Sequence, residues 1–106
     1  MNHRNTDSMH HAECEISKII IGLNLFTFEG FKKIILDKYA MISEKLRETT
    51  KYRDPRVLIP LIIYIYLRLN DHKISKSQLL SVSHISSADF NDFILQLQNY
   101  LSRMIT

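Results

Sequence analysis

Apolar positions recur along most of this chain at spacings of three and four, so helices organise it. The first helix is expected over 13–24, with Ile16, Ile19, Ile20 and Leu23 on one face and Asn24 as its stop. Thr27 then caps a second helix over 28–49. Its stripe runs Phe28, Phe31, Ile35, Tyr39, Ile42, Leu46, opposite Lys32, Lys33, Glu44, Lys45 and Glu48. Residues 1–12 are polar and rich in His and Asn, which predicts a disordered tail before a domain over 13–106.

The third segment differs from the others. Asp54-Pro55 combines an N-cap residue with proline at the first helical position. The eleven residues from Val57 to Leu67 then carry no charge and are apolar on every side, so neighbouring helices must surround them. Ile and Tyr also favour strands. The stretch Pro55 to Asn70 is long for a strand and has no turn residues inside, which decides for a helix. Pro60 removes one backbone hydrogen bond and should bend its first part.

Two matching start signals follow. Ser75 with Gln78 forms a capping box, and Ile74 with Leu79 a hydrophobic staple. Eleven residues later Ser86 with Asp89, and Ile85 with Phe90, repeat the device. Helices over 76–83 and 87–104 result, the last with a stripe of Phe90, Phe93, Ile94, Leu97, Leu101 and Met104. His84 occupies the tight joint between them, and the pair has a helix-turn-helix shape. The expected fold is therefore all-α, five helices bundled around a buried central one.

Composition agrees. With 106 residues the chain forms one domain, and only 2 Gly and 2 Pro leave few tight turns. Cys14 stands alone, which excludes an internal disulfide and fits a reducing compartment. Met1 to Cys14 lacks a signal-peptide pattern, and eleven apolar residues are too few to cross a bilayer. An intracellular protein, nuclear or cytoplasmic, is expected, with no membrane partner. Net charge is +3, unevenly spread: Lys32 to Lys76 holds eleven Lys/Arg against five Asp/Glu. Such a basic middle suits an acidic partner or nucleic acid, although solvated helix faces are the simpler account.

Candidate chemistry is sparse. There is no Gly-rich phosphate loop, no paired-Cys spacing and no His-Glu-x-x-His, and the acids are scattered, so the chain is not expected to be an enzyme. His3, His10, His11 and Cys14 have the residue types of a transition-metal site. In a tail without a second ligand pair they would not close one, so no metal or cofactor is expected. Tyr64 and Tyr66 flank Ile65 in the central helix, where rings that fill the core with hydroxyls at its edge are the simpler reading.

Asp54-Pro55-Arg56-Val57 with Ile63-Tyr64-Ile65-Tyr66-Leu67-Arg68-Leu69-Asn70 resembles the central helix of the cyclin box. Ile85-Ser86-Ser87-Ala88-Asp89-Phe90-Asn91 resembles the opening of that fold's last helix. Cyclins, the B-type general transcription factor and the smallest origin recognition complex subunit share it, and the resemblance covers residues 13–104. It implies a non-catalytic regulatory or adaptor subunit of cell-cycle or transcription type. Such a subunit would bind a protein partner, a kinase among the candidates, through Lys32, Lys33, Arg68 and Asp89. Kinase-activating cyclins pair a central-helix Lys with a last-helix Glu. Here those positions fall near Arg68 and on Ile94, and Ile94 cannot form the pair. The transcription-factor branch implies nucleic-acid binding instead. Its base-reading positions fall on Ala88, Asn91 and Phe93, beside Asp89 and Asp92, which would repel phosphates. DNA contact would then pass to Lys51, Arg53, Arg56, Lys73 and Lys76.

Overall fold

A computed structural model describes residues 3–24, 30–45, 54–83 and 85–105, with the side chains of 3–8, 96 and 98–105 outside the described set. The described residues form α1 (His3–Gly22), α2 (Phe31–Lys45), α3 (Pro55–Leu69), α4 (Lys76–Val82) and α5 (Ser87–Ile105), with no strand among them. The all-helical expectation holds. None of these helices is long and apolar enough to cross a membrane.

Asp54 caps α3 as its sequence signal indicates: the Oδ1 atom accepts the backbone N–H of Arg56 at 2.9 Å. Proline at the first helical position costs nothing there, because that N–H would have no intrahelical acceptor. Leu58 to Ile63 are then buried without a break, Pro60 included. Each buried aliphatic side chain contributes about 1.5–3 kcal/mol. That is the driving force for wrapping α3, and all four other helices pack against it. Across from it lie Ile16 and Ile19 of α1, Phe31, Ile35, Tyr39 and Ile42 of α2, Leu79 of α4, and Phe90, Phe93 and Leu97 of α5.

The end of α3 is less legible in the sequence. His72 N–H donates to Leu67 O at 2.8 Å and Asp71 N–H to Arg68 O at 3.2 Å, a Schellman closure. Asp71 takes the left-handed conformation (φ 63°) that glycine usually supplies. The Asn70 side chain also donates to Tyr66 O at 2.8 Å. Asn24, with φ 54°, ends α1 where the sequence places the stop.

Helices α4 and α5 begin on their expected caps. Ser75 Oγ accepts the Gln78 N–H at 3.3 Å, and Ser86 Oγ accepts the Asp89 N–H at 3.1 Å. The apolar residues of both staples, Ile74, Leu79, Ile85 and Phe90, all pack in or against the core.

Two expectations need correction. Helix α1 starts at His3, ten residues before the expected position 13. Ala12 is fully buried and Met9 packs against the core, continuing the row of Ile16 and Ile19 toward the N-terminus. Helix α2 starts at Phe31 rather than 28, after Gly30 at φ 91°. Thr27, Phe28, Leu46 and His84 lie outside the described residues, as do the side chains of Leu101 and Met104.

Candidate interaction surface

The C-terminal half of α3 has a different neighbourhood from the first. Tyr64 and Tyr66 are half-buried, and Arg68 one turn after Tyr64 is exposed. That i,i+4 spacing lets Arg68 Nη1 donate to the Tyr64 hydroxyl at 2.8 Å, with the guanidinium carbon 5.5 Å from the ring centroid. On its other side the Tyr64 ring meets Phe90 of α5 edge-on, centroids 5.0 Å apart. Lys76, in the first turn of α4, places Nζ 5.1 Å from the Phe90 centroid and donates to Asn91 Oδ1 at 2.6 Å. Arg68, Tyr64, Phe90, Lys76 and Asn91 thus form one continuous seam across α3, α4 and α5. Two cations rest on two aromatic rings that meet edge to face, and the electron-rich ring faces attract them. Phe90 is buried and anchors the seam, while Arg68 and Asn91 present it to solvent.

This arrangement cuts across the two residue sets that the sequence suggests. Of the four protein-partner candidates, Arg68 lies in the seam, and Asp89 is half-buried on α5 one position before Phe90. Lys32 and Lys33 lie elsewhere: Lys32 Nζ donates to Ser17 Oγ of α1 at 2.8 Å, and exposed Lys33 pairs with Asp37 at 3.2 Å. The structure does not gather all four. Of the nucleic-acid candidates, Lys76 joins the seam, Lys73 is exposed in the connection from α3 to α4, and Lys51 and Arg53 lie outside the described residues.

Arg56 stands at the far end of α3. Its Nη2 and Nε donate to both oxygens of Asp54, at 3.0 and 3.3 Å. These bonds hold the Asp54 carboxyl below the usual carboxylate range, against an opposing effect of partial burial. Positive charge on His11 of α1 acts in the same direction, and Glu15 acts on Arg56, so charges of α1 face the start of α3. Glu15 is itself buried; Oε2 pairs with Lys18 at 3.0 Å, and Oε1 lacks a hydrogen-bond partner among the described residues.

Ile94 is half-buried and packed against the core, so the position that would carry a kinase-activating Glu serves packing here. Sequence reasoning misses the joining of Arg68 to Lys76 through two rings. Only the Tyr64–Arg68 spacing signals any part of it. Comparison with protein families, with curated proteins and with solved structures finds no match for this chain.

Proposed function

We propose that this chain is a non-catalytic adaptor domain, similar to a cyclin box, that binds a protein partner through the seam at the C-terminal end of α3. The observation that supports it most is the cation–aromatic seam itself. Arg and Tyr side chains, held by a buried Phe on three packed helices, are the groups that dominate protein recognition. A protein kinase is the partner class that the resemblance implies. Ile94 argues for an attachment that does not use the Lys–Glu pair of activating cyclins.

The second reading is a nucleic-acid-associated factor, which rests on the basic stretch from Lys32 to Lys76. Several of its cations are already engaged, Arg56 with Asp54 and Lys76 with Asn91, which favours the adaptor. Anisotropy of labelled duplex DNA over a salt series separates the two. The adaptor reading expects absent or salt-insensitive binding. Affinity that falls steeply with salt would favour the nucleic-acid factor, since phosphate contacts release counterions.

A further inference from the structure

The cations of this chain differ in what holds them. Lys18 pairs with Glu15, Lys33 with Asp37 and Arg56 with Asp54, so each of these charges is offset within the chain. Arg68 and Lys76 are held instead by neutral acceptors, the Tyr64 hydroxyl and Asn91 Oδ1, and neither pairs with a carboxylate among the described residues. Lys32 also bonds a neutral group, Ser17 Oγ, but it lies between α1 and α2, away from the seam. Each seam cation rests on a ring as well, Arg68 on Tyr64 and Lys76 on Phe90. Ring faces and neutral hydrogen bonds fix a cation in place without cancelling its charge. Arg68 uses Nη1 on Tyr64, and its Nη2–Nε edge makes no hydrogen bond among the described residues. That edge offers two parallel donors, the geometry that matches a carboxylate. Lys76 uses one of its three donors on Asn91.

We propose that the seam receives an acidic segment of a protein partner, with one carboxylate on the Nη2–Nε edge of Arg68 and a second on Lys76. This rests on the reading of the seam as a protein-binding edge and names the chemistry that the edge selects. The two rings between the cations set the carboxylates apart by about three or four extended residues, at about 3.3 Å each. Neighbouring acids decide against a denser anion. Asp71 follows Arg68 by three positions, and Asp89 and Asp92 flank Phe90 and Asn91. A continuous row of phosphates would meet all of these charges, whereas two separated carboxylates need meet only the two cations. Because Arg68 and Lys76 are already positioned, docking costs less side-chain freedom than it would on a solvated lysine such as Lys73.

The test is an NMR titration of the intact chain with a short synthetic peptide carrying two glutamates at that spacing, and with its glutamine counterpart. The expected result is shifts at Tyr64, Arg68, Lys76 and Asn91 with the glutamate peptide, and binding ~10-fold weaker or absent with the glutamine one. Arg68→Gln and Lys76→Gln should each weaken the glutamate peptide ~2–5-fold, the range for exposed ion pairs. Arg68→Lys and Lys76→Arg, which keep the charge, should lose less, and Lys33→Gln should bind as the intact chain does. No shift at the seam, equal binding of the two peptides, or stronger seam shifts with duplex DNA would overturn the proposal. A seam that ignores the glutamate peptide yet still retains a protein through Arg68 and Lys76 would refute the acidic chemistry alone. Retention unchanged by Arg68→Ala/Lys76→Ala would instead refute the protein-binding reading of the seam.

Discussion

The two halves of α3 are both rich in apolar residues, yet they have different surroundings. From Leu58 to Ile63 every side chain is buried, and helices close over it on all sides. From Tyr64 onward the helix reaches an edge, where tyrosine rings pack inward and Arg68 projects to solvent. The first half stabilises the fold through area removed from water. In the second half Ile65 and Leu67 still pack in the core, while Tyr64 and Arg68 hold polar groups in fixed positions at its edge, which is what recognition requires. An apolar run can thus be one scaffold and one presenting edge. The change occurs where tyrosine replaces isoleucine.

The sharpest way to break this comparison is to mutate the first half. Ile62→Ala removes fully buried volume and should cost about 2–5 kcal/mol in urea or thermal unfolding. A cost below ~1 kcal/mol would mean that the first half is no more structural than the second. Next in size is the approach of α1 to α4. A Cβ built on Gly22 lies 2.9 Å from Val82 Cγ1, so Gly22→Val should overpack and cost about 1–3 kcal/mol. Stability equal to the parent would show that the two helices separate freely.

Asp54→Ala at the start of α3 should cost about 1 kcal/mol through the lost cap. It should also flatten the acid limb of the stability profile. The folded-state pKa of Asp54 is lowered, so its contribution is present above the unfolded value, about 3.9, and is lost as pH falls through the folded one. Urea midpoints compared from pH 5 down to pH 2 read that slope directly. An unchanged slope would show that the Arg56 bonds do not persist in solution. At the other end, Tyr64→Phe removes the acceptor for Arg68 but keeps the ring against Phe90, and Arg68→Ala removes the cation. Each should cost no more than about 0.5–1 kcal/mol, the range for exposed cation–aromatic contacts.

Local devices made most of the fold legible. Asp54-Pro55, Ser75 and Ser86 start their helices where short-range hydrogen bonding dictates, and those bonds are present. The start of α1 is less legible, because the first core-facing residues among its described side chains, Met9 and Ala12, stand among histidines and acids. Their spacing to Ile16 and Ile19 is helical, yet small or sparse apolar residues give little amplitude to a hydrophobic pattern. Asp71 hid the closure of α3, since the left-handed position carries an aspartate where glycine would signal it. The seam was legible only in part. Residues 64, 68, 76, 90 and 91 come from three helices, and sequence spacing is silent on contacts made across helices.

The most direct test of the central claim, that the edge of α3 binds a protein partner, is paired affinity capture. The intact chain and an Arg68→Ala/Lys76→Ala double variant would be compared at matched folding stability, with retained proteins and nucleic acids both identified. The account predicts a discrete protein retained by the intact chain and lost from the variant, with the fold of both preserved. Equal retention by the two, or nucleic acid in place of protein, would contradict it.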